Sequence, residues 1–369
     1  MTTEKEKNKK KRAKPFSKLL KIIVVFFTFS LLTVSALLFA VIYYNAPVQP
    51  VQNQFAPPQI DGITQNQDGT FFIEVRRGES AQSVGRRLES AGLIRDRHFW
   101  NLLFRLDSEH LKIGTYRLEG GESQLAIKNL LVSGRQILHK VTIPEGVTLL
   151  RASRILEEAG ICSAQDFLLA AKDPETVSHY RIPGNSMEGY LFPDTYLFPS
   201  EFPASRVVRA MADNFFVRIE RIYPDVAKMS MQELNDKVIM ASIVEREYRA
   251  AEEAPVMAGV FYNRLRVGMA LQSCATVEYI ITEILGRPHP RVLYNRDLEI
   301  RNPYNSYMFP GLPPGPISAP GAVALNAAFS PAQTEFLYFR LTDVQTGRHY
   351  FSRTFDEHIR AGELVPKGH

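Results

Sequence analysis

Cysteine is almost absent from this chain, and several common catalytic motifs are missing too. Its 369 residues include two cysteines, Cys162 and Cys274, too far apart in sequence to form a disulfide framework or a metal-binding motif. The eight histidines do not cluster, and there is no G-x-S-x-G elbow, Walker loop or H-E-x-x-H helix. We therefore expect two free or buried thiols, no metal site and no cofactor.

Positive charge is scarce outside the N-terminus. The chain has a formal net charge of +5, and the nine lysines and arginines among residues 1–21, set against Glu4 and Glu6, account for more than all of it. A nucleic-acid-binding protein normally carries its basic surface on the folded part of the chain. The distribution predicts no nucleic-acid partner, and it indicates an orientation signal beside a membrane segment.

A single long apolar run follows the basic tail. Residues 22–44 contain no charged side chain, and a helix of this length, at about 1.5 Å per residue, crosses the roughly 30 Å hydrocarbon layer of a membrane. By the positive-inside rule, residues 1–21 stay in the cytoplasm and the rest is exported. A cleaved signal peptide is the alternative, although the run is longer than a usual signal-peptide core and no clear cleavage site follows.

These features predict a single-pass protein of the cell inner membrane. Its N-terminus is cytoplasmic, residues 22–44 form the transmembrane helix, and the folded part is periplasmic or otherwise extracytoplasmic. Residues 45–68 are rich in proline, glutamine and asparagine and have little periodicity. We expect them to form a linker that holds the folded part away from the membrane.

An internal repeat lies beyond the linker. Residues 75–93 match residues 143–161 without a gap, and each copy reads as a strand, a glycine turn, a helix and a closing glycine. We predict strands at Phe71–Val75 and residues 140–143, followed by helices at residues 80–91 and 148–159. Such units resemble LysM-type modules, which bind glycan chains; a scaffold without glycan binding is the alternative.

The remaining patterns predict an α+β fold. A second helix at residues 98–106 and a strand at residues 114–118 would complete a LysM-like α+β module over residues 69–136. Residues 137–369 would form a second, mixed α/β domain. Its predicted elements are helices at residues 207–221, 231–248 and 256–266, a proline-rich loop at residues 302–320, and strands at residues 335–341 and 348–351.

One carboxylate lies in an unusual position. Within residues 237–248, Glu245 shares a helical face with Val238 and Ala241, whereas Glu247 is turned about 200° away and is expected to be solvent-exposed. Desolvation on an apolar face raises the pKa of a carboxylate, which suits a general acid near neutral pH. The structural alternative is that Glu245 pairs with a neighbouring arginine, and the candidates are Arg246, Arg249 and Arg264.

Polar and aromatic residues cluster in three further segments. Uncharged polar groups orient sugar hydroxyls and amides, and aromatic rings stack on sugar faces, although each residue could equally serve in a turn or a cap. The candidates for substrate binding are Asn263, Gln272, Thr276, Tyr304, Asn305, Tyr307, Glu188 and Tyr190. Asp194 lies in the same segment as the last two.

Together these segments resemble the endolytic murein transglycosylase family, the peptidoglycan terminases. The matching motifs, in the family's order, are EGYLFPDTY (188–196), ASIVERE (241–247), VFYNRL with MALQS and TVEY (260–279), NPYNSY with GLPPGPI (302–317) and the terminal YF followed by HYFSRTFDEH (338–358). The resemblance implies that Glu245 is the catalytic residue. Residues 137–369 would then be the catalytic domain, nascent peptidoglycan strands the substrate, and peptidoglycan synthases the partners.

The resemblance also implies a mechanism with one carboxylate. A lytic transglycosylase cleaves the MurNAc-GlcNAc bond by using the C6 hydroxyl of MurNAc as nucleophile, so that one glutamate serves as acid and then as base, leaving a 1,6-anhydro-MurNAc end. Neutral dipoles, such as those of Gln272, Asn305 and Thr276, would help to stabilise the transition state. A hydrolase that uses water would need a second carboxylate, for which Glu188 or Asp194 would be the candidate.

The chain departs from the family at one position. Where the family usually reads L-Q-S/T-D-x-T-V, residues 271–277 read LQSCATV, so Cys274 replaces the acidic residue. Any role of a carboxylate at that position is absent here. This substitution favours the alternative of a catalytically weak or silent glycan-binding scaffold, whereas the intact Glu245 favours the enzyme.

Overall fold

The computed structural model describes residues 14–48, 60–66, 69–107, 109–135, 138–199 and 201–364. Most of the predicted basic tail (residues 1–13) and much of the predicted linker (residues 49–59, 67 and 68) lie outside the described residues. The chain has a mixed α+β fold and divides into two compact units, residues 1–136 and residues 137–369. The α+β prediction is confirmed.

The first element is a long apolar helix, α1 (Lys14–Asn45). The span Lys18–Asn45 is long and apolar enough to cross a membrane, and none of its most apolar window is buried inside the protein. A helix that is apolar on all sides and is not covered by other parts of the chain is typical of a membrane span or a signal segment. The predicted apolar helix at residues 22–44 is therefore present.

The first unit builds a small antiparallel sheet covered by helices. Its strands lie in the order β1-β2-β3, and Trp100, Leu88 and Tyr116 are fully buried in its core. The indole Nε1 of Trp100 donates a 2.8 Å hydrogen bond to the Ala81 carbonyl. The elements are β1 (Ile63–Gln65), β2 (Phe71–Val75), α2 (Ala81–Ser90), α3 (Arg97–Leu106), β3 (Gly114–Leu118) and α4 (Gln124–Ser133).

Among its described residues, the second unit consists of helices and two short two-stranded sheets. Strand β4 (Leu138–Thr142) pairs antiparallel with β5 (Thr195–Pro199), and β6 (Tyr338–Asp343) pairs antiparallel with β7 (Arg348–Ser352). The helices are α5 (Leu149–Glu158), α6 (Ala164–Ala171), α7 (Pro174–His179), α8 (Ala204–Ile222), α9 (Met231–Glu247), α10 (Ala254–Arg266), α11 (Cys274–Tyr279), α12 (Asn295–Leu298), α13 (Ala322–Phe329) and α14 (Phe355–Arg360). A π-helical turn, Ile280–Ile284, continues α11.

Helix α9 lies at the centre of the second unit and contacts α10, α11 and α13. It begins at a capping box in which Ser230 and Glu233 satisfy each other's backbone amides. Every residue from Val238 to Val244 is buried, so the middle of the helix has no solvent face. Exposure returns only in its last turn, at Glu245.

Both copies of the sequence repeat fold as a strand, a glycine turn and a helix, as predicted. The turn glycines Gly78 and Gly146 have φ of +76° and +72°, a left-handed conformation that glycine adopts without strain. The second copy, however, lies in the other unit, where its strand pairs with β5. Similar local sequences therefore build parts of two separate structures.

Candidate active site

Glu245 occupies the last turn of α9, where the buried helix reaches the surface. Its side chain is partly buried, and its two oxygens are held by different segments of the chain. The amide of Gly321 donates a 2.8 Å hydrogen bond to Oε2, and the hydroxyl of Tyr248 donates a 3.3 Å hydrogen bond to Oε1. The carboxyl group therefore has a fixed orientation.

The electrostatic surroundings favour the protonated form of Glu245. Burial raises its pKa to about 7, and the nearby carboxylate of Glu145 acts in the same direction. The hydrogen bonds from Gly321 and Tyr248 and the charge of Arg246 oppose the rise. A carboxyl group with a pKa near 7 can both donate and accept a proton at neutral pH.

Glu245 is not part of a structural ion pair among the described residues. Arg246 turns instead to Glu278, at 2.8 Å. Arg264 is buried, and it donates to the carbonyls of Leu271 and Leu337. The structural alternative of a Glu245–arginine pair is therefore not observed.

The loop Pro144–Gly146, between β4 and α5, lies directly against Glu245. A Cβ added at Gly146 would be 3.6 Å from Cγ of Glu245, and one added at Gly321 would be 1.9 Å from Oε1 of Glu145. Glu145 therefore occupies the space above Gly321, the residue that donates to Glu245. Glu145 is not among the residues predicted from the sequence. The one signal for it is a difference between the repeat copies, because the matching residue of the first copy is Arg77.

Backbone pairing holds this loop and the Gly321 segment together. The amide of Gly146 donates to the Ala319 carbonyl at 2.8 Å, and the amide of Ala319 donates to the Val147 carbonyl at 2.7 Å. Ser242, one turn before Glu245 on α9, accepts from the amide of Ile317 at 3.0 Å. Helix α9 and both loops thus form one hydrogen-bonded framework.

Glu247 does not lie in solvent, and the expectation that it would is wrong. Its side chain is partly buried and accepts a hydrogen bond from the hydroxyl of Ser273, just before α11. Desolvation raises its pKa, and Glu278 acts in the same direction. The helical pattern of α9 alone places Glu247 opposite Glu245, but α11 covers that side of the helix.

Gln272 and Thr276 lie at the start of α11 in very different environments. Thr276 is fully buried, and its hydroxyl bonds to the Ser273 carbonyl and the Ser306 hydroxyl, each at 2.8 Å. Gln272 has φ of +51°, an unusual backbone conformation for a residue with a side chain, and its side chain is exposed. Such strain is concentrated at functional sites, and Gln272 is the polar group of this segment that remains accessible.

Cys274 is the first residue of α11 and is exposed. Its Sγ lies 3.1 Å from the hydroxyl of Tyr307. Partial desolvation of the sulfur raises the pKa of the thiol, the hydrogen bond with Tyr307 opposes the rise, and the charges of Glu247 and Glu278 add to it. Both Cys274 and Cys162 are free thiols, as predicted.

The Tyr304-Asn305-Ser306-Tyr307 segment presents two aromatic rings and hides the residues between them. Tyr304 is partly exposed, and its ring packs against Tyr279 with the centroids 5.1 Å apart. Tyr307 is also partly exposed. Asn305 is fully buried and donates to the carbonyls of Leu298 and Ile300.

Glu188 is buried beneath the Glu145 loop. Both of its oxygens lie 3.2 Å from the amide of Leu149, at the start of α5. Burial raises its pKa to about 8, and the hydrogen bond from Leu149 opposes the rise. Glu188 therefore holds the beginning of α5 from inside the protein.

The other candidates from the sequence are also engaged within the chain. Tyr190 is fully buried and donates to Asn235 at 2.8 Å. Asn263 is buried and donates to the carbonyls of Thr334 and Phe336. Asp194 lies 2.6 Å from Arg218; burial works against ionisation, but hydrogen bonds from Thr195, Asn214 and Arg218 lower its pKa.

The structure thus separates the sequence-predicted residues into two groups. The residues with accessible side chains are Glu245, Gln272, Tyr304 and Tyr307. The residues whose polar groups are buried and bonded within the protein are Glu188, Tyr190, Asn263, Thr276 and Asn305. Because this second group has no exposed polar atoms to offer a ligand, its direct contact with substrate is not supported, and it supports the loops of the site instead.

Comparisons with known proteins identify the family of the chain. The model of the YceG-like family matches residues 73–363. A Bacillus subtilis protein named endolytic murein transglycosylase is 29% identical over 82% of this chain and 87% of its own length. A Streptococcus pneumoniae R6 protein of the same name is 27% identical over 81% of this chain and 59% of its own length. A solved YceG-like structure from Listeria monocytogenes, 29% identical, covers 80% of this chain and 99% of its own with a TM-score of 0.54.

Proposed function

This chain belongs to the YceG-like family, and from that premise we propose that it is an endolytic lytic transglycosylase that cleaves peptidoglycan. The observation that carries the proposal is Glu245, a partly buried and oriented carboxyl group whose pKa lies near 7. Relatives named endolytic murein transglycosylase, matched over most of this chain, support the same reaction class.

The proposed reaction uses Glu245 twice. Protonated Glu245 gives its proton to the glycosidic oxygen between MurNAc and GlcNAc, and the bond to C1 of MurNAc breaks through an oxocarbenium-like transition state. The C6 hydroxyl of the same MurNAc attacks C1 while the carboxylate of Glu245 takes the hydroxyl proton. The products are a 1,6-anhydro-MurNAc end and a GlcNAc with a free hydroxyl, and Glu245 returns to its protonated form.

The hydrolase alternative is weakened by the environments of its two candidate carboxylates. Asp194 is bound by Arg218, and Glu188 is buried against the amide of Leu149. Glu188 lacks the accessible position that activation of a water molecule would require, and the carboxylate of Asp194 is already bonded to Arg218 and Asn214. The transglycosylase mechanism needs neither of them.

Substrate contact is proposed for the accessible residues of two hydrogen-bonded segments, the one that precedes α11 and the one at residues 304–307. We assign Gln272 to hydrogen bonding with sugar hydroxyls or N-acetyl groups, and Tyr304 and Tyr307 to packing against sugar rings. Thr276 and Asn305 would hold the loops that present these three residues. The ligand would be a glycan strand of nascent peptidoglycan, and the synthases that make such strands would be the protein partners.

The first unit is proposed to assist by binding glycan. Its β-glycine-helix unit at residues 71–90 and its sheet of three strands are the features that suggest a LysM-like role. Removal of residues 69–136 would then weaken binding to sacculi without altering the chemical nature of the products. Pull-down of the truncated and intact chains with purified sacculi tests this assignment.

The apolar helix α1 is proposed to remain as a single-pass anchor in the inner membrane, with residues 46 onward outside the cytoplasm. The support is the length and composition of Lys18–Asn45 and the basic residues that precede it. A reporter fused after His369 that requires export should be active. Activity of a reporter that works only in the cytoplasm would contradict this orientation.

Product analysis separates the proposed enzyme from the alternatives. The full chain is incubated with purified sacculi and with nascent glycan, and the released muropeptides are analysed by mass spectrometry. Anhydro-MurNAc ends support the transglycosylase, reducing ends indicate a hydrolase, and an absence of cleavage together with retained binding indicates a silent scaffold. The Glu245→Gln variant should release no anhydro product above background.

A further inference from the structure

A second carboxylate lies beside the proposed catalytic acid. We propose that Glu145 is a positioning residue that acts through Glu245, favouring the protonated form that donates to the glycosidic oxygen. The inference rests on the proposed function of Glu245 and deepens it, because it assigns a role to a residue outside the motif of the catalytic helix. Four observations on the geometry and charge of the site carry it.

The first is proximity. Oε1 of Glu145 lies 1.9 Å from the place of an added Gly321 Cβ, while the amide of Gly321 is 2.8 Å from Oε2 of Glu245. With ordinary backbone bond lengths, these contacts put the two carboxylates within about 7 Å of each other. At such a separation a negative charge disfavours ionisation of its neighbour.

The second is the rigidity of the arrangement. The Glu145 loop is bound to the Gly321 segment through the two hydrogen bonds between residues 146–147 and Ala319. The amide of Leu149, at the start of the following helix, donates a hydrogen bond to the buried carboxyl group of Glu188. The position of Glu145 relative to Glu245 is therefore set by the fold.

The third is the balance of the other charged and titratable groups. Arg246 lowers the pKa of Glu245, whereas Glu145 raises it. Arg246 is, however, paired with Glu278, and His289 lies 3.5 Å from the same carboxylate. Tyr248 donates a hydrogen bond to Glu245 and faces Glu145 as well. Glu278 thus offsets part of the positive charge of Arg246, and the effect of Glu145 on Glu245 is larger than the opposing effect of Arg246.

The fourth is the accessibility of Glu145. Its side chain is exposed, so dissolved ions can reach it. Salt screens the interaction between exposed charges over about 10 Å at 0.1 M ionic strength. The effect of Glu145 should accordingly weaken as salt is added, which distinguishes it from the effect of burial.

The experiment follows the protonation of Glu245 with and without turnover. The full chain in detergent micelles is prepared with Glu145→Gln, with the charge-preserving Glu145→Asp, and with Glu220→Gln as a control at an exposed glutamate of α8. Carbodiimide reacts with protonated carboxyl groups, so the pH dependence of labelling at Glu245, measured by peptide mass spectrometry, gives its pKa directly. The pH dependence of muropeptide release is measured in parallel.

We expect Glu145→Gln to lower the midpoint of Glu245 labelling by about half a pH unit and to lower the rate above pH 7 by about threefold. Glu145→Asp and Glu220→Gln should keep the parental midpoint, and added salt should move the parent toward Glu145→Gln. An unmoved labelling midpoint in Glu145→Gln overturns the proposal, whether or not the rate changes. Absence of product from the parent chain would instead refute the proposed function, and the labelling would still decide the role of Glu145.

Discussion

The amide of Gly321 donates a hydrogen bond to the carboxylate of Glu245, 76 positions earlier in the chain. The same glycine leaves the space that Glu145 occupies, because a side chain at position 321 would overlap the Glu145 carboxylate. Gly321 therefore connects the proposed acid to a second carboxylate from a distant loop. The protonation state of Glu245 depends on this contact and on the burial of its helix.

Glu245→Gln should abolish most of the activity while preserving the fold. The glutamine Oε1 can still accept from the Gly321 amide, but the side chain cannot donate or take the reaction proton. We expect a loss on the order of 10² to 10⁴ in rate, the usual contribution of a general acid-base group. Muropeptide release measures the loss, and thermal unfolding monitors the fold. Activity within threefold of the parent would remove Glu245 from the mechanism.

The pH profile should report the raised pKa of Glu245. The starting state requires the protonated carboxyl, and its pKa is raised from the ordinary 4.5 to about 7. The rate should therefore be insensitive to this group at low pH and fall as the pH rises through about 7. Tyr248→Phe tests the direction of this effect, because it removes a hydrogen bond that lowers the pKa of Glu245. The midpoint of the pH–rate profile should therefore move upward. A downward movement would contradict the assigned interaction.

The sequence singles out Glu245 as the candidate acid but does not predict its surroundings. An acid on the apolar side of a helix and five ordered motifs lead to this residue without any knowledge of tertiary structure. The helical pattern failed at Glu247, because it describes one helix and not the neighbouring α11 that covers the opposite side. Glu145 was overlooked because its contact with Gly321 depends on backbone pairing between residues 146–147 and Ala319, which no local pattern encodes.

The same limit applies to the binding residues. Polar residue types mark candidate segments for substrate binding, but composition does not say which side chains face outward. The polar atoms of Asn305 and Thr276 are hydrogen-bonded to neighbouring loops. Gln272, by contrast, has an unusual backbone conformation and an accessible side chain. Burial and bonding in the folded chain decide between a ligand contact and a structural support.

Glu188 should make the stability of the second unit depend on pH. Its pKa is raised to about 8 in the folded chain, so between its ordinary value of 4.5 and about 8 the folded state binds more protons than the unfolded state. Stability must then fall as the pH rises through this range. Glu188→Gln keeps an acceptor for the Leu149 amide. It should remove a pH-dependent loss in the free energy of unfolding on the order of 2–4 kcal/mol.

Chemical unfolding of the full chain at pH 5 and at pH 8.5 measures this effect. The parent should lose stability between the two conditions, and Glu188→Gln should lose less. Glu188→Leu serves as the comparison, because it leaves the Leu149 amide without its partner and should be less stable at both pH values. An equal loss in the parent and in Glu188→Gln would show that Glu188 is ionised throughout.

Cys274→Asp restores the acidic residue usual in the family, and the structure predicts a modest effect. A carboxylate at this position could act in two ways, as a helix cap or as a charge that tunes Glu245. The cap position of α11 is Ser273, so residue 274 lies in the first helical turn. The groups that act on it are Tyr307, Glu247 and Glu278, whereas the groups that act on Glu245 are the Gly321 segment, Glu145, Tyr248 and Arg246.

A carboxylate at position 274 would accept from the hydroxyl of Tyr307 and would raise the pKa of Glu247 further, since like charges disfavour ionisation. Near the start of a helix it would change stability by no more than about 1 kcal/mol. We therefore expect activity within threefold of the parent. The fall in rate that reports the ionisation of Glu245 should stay at the same pH. Cys274→Asn, similar in shape but neutral, separates the charge from the loss of the thiol. If Cys274→Asp alone displaced the limb upward while unfolding stayed the same, the carboxylate usual at this position would act on Glu245, and the present chain would work with a lowered acid pKa.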